Sequence, residues 1–103
     1  MKTQIDLRGA SGAAYRFRLV EEPMQLPTAS GNFVFVKSEI AGASVIYAGE
    51  AAILSEATAR WADARGAYGA DAIYVRLNIS ESVRLAEQAD LVEQYNPPMN
   101  AAA

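Results

Sequence analysis

The chain has 103 residues, 51% of them hydrophobic and 20% charged, which is enough for one core and one domain of ordinary globular character. It contains neither cysteine nor histidine, so disulfides, thiol nucleophiles, Cys/His zinc sites and imidazole-based triads are excluded. Its net charge of −3 and isoelectric point near 4.8 have the wrong sign for holding nucleic acid through overall electrostatics, which leaves only a local basic patch for that task. No run approaches ~18 consecutive apolar residues, and the opening MKTQIDLRG alternates where a signal peptide needs an unbroken apolar stretch; a cytoplasmic protein without a membrane partner is expected.

In chain order, TQIDLR alternates with Ile5 and Leu7 on one side, the period of a half-buried strand. After the turn-forming GASGAA, YRFRLVEE alternates again, with Tyr15, Phe17 and Leu19 opposite Arg16 and Arg18, so the two segments read as an antiparallel hairpin. Its wet face carries Arg8, Arg16 and Arg18 with only Asp6 among them. That face is either a solvated surface relieved by Glu21 and Glu22 or a docking surface for phosphate or an acidic partner.

EPMQLPTASG, with its two prolines, is a connection. GNFVFVKS is a nearly continuous apolar run, the signature of a strand covered on both faces. EIAGAS turns the chain into SVIYAG, a fourth strand that Gly49 is expected to end with a tight exit.

From Ala51 to about Arg65 the spacing is helical, with Leu54, Ala57, Trp61 and Ala64 on one stripe and Gly66 as the C-cap. Trp61 reads as core or as the anchor for a partner. DAIYVRLN is a fifth strand. Ser80 or Ser82 caps a last helix that ends at Tyr95 before Pro97 and Pro98. This helix carries Glu81, Glu87, Asp90 and Glu93 against Arg84 alone, an acidic surface that repels DNA. The order ββ, ββ, α, β, α predicts an α+β domain over residues 1–100 with a mainly antiparallel sheet packed by helices. The closing Ala101, Ala102 and Ala103 follow a Pro-rich stop and read as a cloning scar.

GNFVFV followed by VIYAGEAAIL resembles the paired motif strands of the GIY-YIG nuclease superfamily, and AEQADLVEQYNPPMN resembles its closing helix. The resemblance spans residues 31–100 and leaves the hairpin at 1–22 as an addition. It implies a single-metal phosphodiesterase site: a glutamate on the last helix holding the ion, an arginine on the first helix stabilising phosphate charge, and tyrosines handling the water. In the register of that resemblance the first tyrosine falls on Phe33, the second on Tyr47 and the motif glycine on Gly49. The arginine's place is taken by Ala57 and the glutamate's by Gln88, with Asn100 at the closing motif.

An amide oxygen brings a dipole where a hard cation wants a full charge. Losing one donor to transition-state charge typically costs ~100 to 1,000-fold. The remnant site is therefore expected to hold no metal and need no cofactor, with Mg²⁺ or Mn²⁺ relevant only if nuclease activity remains. Arg60 and Glu87 are the candidate substitutes, although Glu87 lies about 100° around the helix from Gln88.

Tyr47 is either a surviving site residue or a strand aromatic, and Gln88 either lines a relic cleft or bonds to backbone. Asn100 is expected to clip the C-terminal turn onto the sheet. The expected function is a catalytically impaired domain serving as a nucleic-acid-binding or regulatory module. The alternatives are a protein-interaction or homo-oligomerisation module and an endonuclease rescued by Arg60 and Glu87.

Overall fold

The computed structural model describes residues 2–21 and 25–101. The strands are β1 (Gln4–Arg8), β2 (Ala14–Val20), β3 (Gly31–Glu39), β4 (Gly42–Ala51) and β5 (Ala72–Leu77). A 3-10 stretch, Leu54–Arg60, leads into helix α1 (Trp61–Tyr68); helix α2 (Glu81–Tyr95) and the short α3 (Pro98–Ala101) close the chain. All strand pairings are antiparallel, in the order β1-β2-β5-β3-β4, so the fold is α+β and the N-terminal hairpin joins the sheet through β2 and β5.

The alternation of each strand sorts its side chains onto two faces. On the first, Phe33, Phe35, Ile73 and Val75 pack with Leu54, Trp61 and Ala64 beneath the 3-10 stretch and α1. On the second, Leu7, Phe17, Val34, Val36, Val45, Ala48, Ala72 and Tyr74 meet Leu91 of α2. β3 and β5 contribute side chains to the cores on both faces of the sheet, which is why β3 reads as a near-continuous apolar run and Tyr74 of β5 is buried opposite Ile73 and Val75.

Three local expectations are corrected. Gly49 does not turn the chain; β4 runs through it to Ala51. A Cβ there would lie 2.3 Å from Cζ of Phe33, directly across the ladder, so the position is glycine because an aromatic ring covers it. The single helix expected over residues 51–65 is divided. Its first backbone N–H groups are taken by the preceding connection, Leu54 N donating to Ala29 O at 2.8 Å and Ser55 N to Pro27 O at 2.9 Å. The C-cap is Gly69, at φ 75°, rather than Gly66. The apolar stripe survives this change: Leu54, Trp61 and Ala64 are buried and Ala57 is half-buried. Trp61 packs edge-on against Phe35 at 5.2 Å and is core.

Ser80 caps α2 by accepting from Val83 N. Of the terminal alanines, Ala101 belongs to α3 and donates its N–H to Pro97 O, while residues 102 and 103 lie outside the described residues, as does Glu22 at the end of the hairpin.

Candidate functional site

The candidate cleft lies on the first face, over the C-terminal end of β4. Phe33, Phe35 and Tyr47 form an aromatic triplet with centroids 5.3 to 5.8 Å apart. Beside it a groove of about 370 Å³ is bounded by Phe33, Tyr47, Glu50, Ile53, Ala57 and Arg60. The Arg60 guanidinium sits 4.9 Å from the Tyr47 ring centre, a cation–π contact on the groove wall. Arg60 thus does lean toward Tyr47, as its long side chain permits.

Glu87 does not join it. It sits on the inner surface of α2, against the opposite face of the sheet, and is 8% exposed. Arg76 Nε donates to its Oε1 at 2.9 Å. The pair Arg60 and Glu87 is therefore separated by the sheet itself, and the carboxylate is already committed to an ion pair.

Gln88 and Asn100 both bond to the backbone of Ala48, on the exposed edge of β4. Asn100 Nδ2 donates to Ala48 O at 2.9 Å while its Oδ1 accepts from Ala48 N at 2.9 Å, so one side-chain amide stands in for a neighbouring strand. Gln88 Nε2 donates to the same carbonyl at 3.2 Å. A carboxylate at Gln88 has no proton to donate and would face that oxygen with like polarity, so the amide suits its position. Leu85, one turn before Gln88, is exposed, whereas Leu91 is buried.

Of the charges expected on the surface of α2, Glu81 and Glu93 are exposed, whereas Arg84 and Glu87 are buried. Arg84 is 4% exposed and donates from Nε to Glu50 Oε2 at 3.0 Å, and from one terminal nitrogen to the carbonyls of Asn78 and Ile79. Asn32, fully buried, donates to Arg84 O at 2.9 Å and accepts from Asn78 at 3.1 Å. With Arg76 and Glu87 alongside, these residues make a polar network between sheet and helix, and no buried side-chain polar atom among the described residues lacks a partner. Its sequence signal was the placement of Arg84 and Glu87 at three- and four-residue spacing before Leu91, charges on what became the inner stripe of α2. Its partners Glu50 and Arg76 come from two separate strands, where periodicity gives no hint of them.

Asp90 is committed too. It accepts from Ser11 Oγ at 2.6 Å, Ser11 N at 2.8 Å and the Tyr15 hydroxyl at 2.6 Å, fastening the β1–β2 turn to α2. Those bonds, the Ser11 side chain first, hold the Asp90 carboxyl below its usual range, and the same contact with Asp90 pushes the Tyr15 phenol up. The depressed carboxyl stabilises the fold above its unfolded value near pH 3.9, and that contribution is lost as pH falls through the lower folded value. The raised phenol contributes below about pH 10 and is lost as pH rises through its higher folded value. Asp90→Asn is therefore expected to flatten the acid limb of a stability–pH profile measured by urea unfolding. An acid limb as steep as that of the wild type would show that the clamp contributes nothing.

Arg8, Arg16 and Arg18 lie on the first face of the hairpin, beyond the cover of α1, and all three are exposed. Arg16 pairs with Asp6 directly across the ladder, at 3.0 Å, and Arg8 donates to Gly12 O. Arg18 makes no side-chain hydrogen bond among the described residues. Lys2, just ahead of β1, is exposed as well. The result is a local patch of three arginines and one carboxylate, flanked at its end by the exposed Glu21.

Among the described residues no three acidic side chains converge as a metal site requires, and no helix is long and apolar enough to cross a membrane. No protein-family model, curated protein or solved structure matches the chain.

Proposed function

We propose that this chain is a nucleic-acid-binding or regulatory module on a GIY-YIG-like scaffold that has lost phosphodiester hydrolysis. One observation carries the reading: the cation nearest the remnant tyrosine, Arg60, and the buried acid of the last helix, Glu87, stand on opposite faces of the sheet. A hydrolytic site needs a metal seat and a phosphate grip on one side of the scissile bond. Here Ala57 leaves the groove wall uncharged at the arginine's place, and Gln88 serves the β4 edge.

Binding is assigned to the hairpin, where Arg8, Arg16 and Arg18 concentrate positive charge in a molecule of net charge −3. Among the acids of α2, Glu87 is paired with the Arg76 guanidinium, while Asp90 is held by neutral donors and keeps its charge. Phosphate contacts of this kind carry little sequence information and release counterions.

Fluorescence anisotropy with a short labelled duplex, repeated from about 25 to 200 mM salt, tests the assignment. Affinity is expected to fall steeply with salt, and Arg16→Ala with Arg18→Ala together is expected to reduce the log–log slope by about two. Binding that is absent at low salt, or that is unchanged in the double variant, would overturn it.

A further inference from the structure

The two edges of the sheet are treated differently. On β4, the outward N–H and C=O of Ala48 are covered by Asn100 and Gln88. On β1 the phase of the ladder follows from two bonds, Leu19 N donating to Thr3 O at 2.7 Å and Gly9 N to Ala13 O at 2.9 Å. Thr3, Ile5, Leu7 and Gly9 therefore face β2, and the backbone groups of Gln4, Asp6 and Arg8 point out of the sheet. Among the described residues nothing pairs with them. Open edges invite another strand, and proteins ordinarily cover or obstruct them.

From this edge we infer that β1 pairs antiparallel with β1 of a second copy of this chain, about a twofold axis at Leu7, joining the two sheets into one. The charges select both partner and register. With Leu7 opposite Leu7, Asp6 of each copy lies opposite Arg8 of the other, and both belong to the outward-bonding set, so the two residues exchange main-chain hydrogen bonds and pair their side chains. Within each copy Asp6 already faces Arg16, so each arm of the joined sheet carries the row Arg16, Asp6, Arg8 with alternating sign. Arg8 has the capacity for this, since one of its terminal nitrogens serves Gly12 O and the others are free to donate.

The neighbouring registers are disfavoured. Moving the axis to Asp6 sets Asp6 against Asp6; moving it to Ile5 sets Arg8 against Lys2, and like charges directly opposite are destabilising. The twofold axis is perpendicular to the sheet, so Arg16 and Arg18 of both copies lie on one side of it. The pairing does not depend on nucleic-acid binding.

The contact is small, so the association is weak and must be sought at high protein concentration. Sedimentation equilibrium of the full chain without nucleic acid, together with concentration-dependent amide exchange by NMR, provides the test. A monomer–dimer equilibrium is expected, with the Asp6 and Arg8 amides gaining protection as concentration rises. Arg8→Asp is expected to weaken it at least about tenfold, whereas Arg8→Lys, which keeps the charge opposite Asp6 of the other copy, is expected to retain most of the affinity.

Arg8→Pro removes an outward N–H and leaves the internal ladder whole, so it separates loss of pairing from loss of fold; it is expected to remain folded by circular dichroism and monomeric. A chain that stays monomeric at millimolar concentration, or a dimer whose Asp6 and Arg8 amides exchange freely, would overturn the inference.

Discussion

Replacing Arg84 with alanine is expected to cost about 3 kcal/mol, the range found when one member of a buried ion pair is removed. Arg84 is 4% exposed, and its guanidinium holds Glu50 and the carbonyls of Asn78 and Ile79 at the mouth of the sheet–helix layer. Truncation leaves a half-buried carboxylate without its cation and two carbonyls without donors, and it empties the space of the side chain. Water reaches Glu50 more readily than Arg84, which places the cost at the lower end of the range.

In a domain of this size such a loss lowers the melting temperature on the order of 15 °C. Arg84→Met restores volume without the charge, so it should recover little by itself. Combined with Glu50→Gln, which no longer demands a cation, it should recover most of the stability. Urea unfolding of the single and double variants measures this, and additive losses would show that the two residues do not act as a pair.

Gly49→Ala is expected to cost about 1–3 kcal/mol by overpacking, although alanine is ordinarily the better residue in a strand interior. The new Cβ would lie 2.3 to 2.9 Å from three atoms of the Phe33 ring. That ring is flanked by Phe35 at 5.3 Å and Tyr47 at 5.8 Å, so it can yield only toward the groove beside it. Phe33→Leu shrinks the obstructing group. The double variant should therefore be less destabilised than the sum of the single changes by about 1 kcal/mol or more, measured as a double-mutant cycle in denaturant. A cycle that closes to zero would mean that the backbone, and not the ring, sets the cost of a side chain at this position.

These two positions show where sequence reasoning succeeds and where it stops. The hairpin strands were legible because Ile5 and Leu7, then Phe17 and Leu19, alternate cleanly with charged residues. β3 was legible because its apolar run from Phe33 to Val36 is buried on both faces. Joining the hairpin to the rest required β2 to meet β5, a pairing that also depends on loop closure across the intervening strands.

Gly49 misled because glycine marks either a turn or a close approach, and the approaching ring belongs to another strand. The alanine-rich segment misled because its residues favour a helix throughout, while the carbonyls of Pro27 and Ala29 anchor its first turn from outside. The charges on α2 were read as a wet surface because charged residues are usually exposed; the side chains that bury Arg84 and Glu87 are contributed by Glu50 and Arg76. Of the candidate site, the role of Asn100 in clipping the C-terminal turn onto the sheet was legible in the sequence. The separation of Arg60 from Glu87 was not, because a residue's face is settled by which side of the sheet its helix crosses.

The central claim is that the scaffold binds nucleic acid and leaves it intact. One native gel, loaded with labelled duplex and excess protein after incubation in Mg²⁺ or Mn²⁺ and split into undenatured and denatured lanes, reads both halves at once. The account predicts a retarded band in the first lane and full-length strands in the second. Metal-dependent fragments that disappear with Glu87→Ala would contradict it.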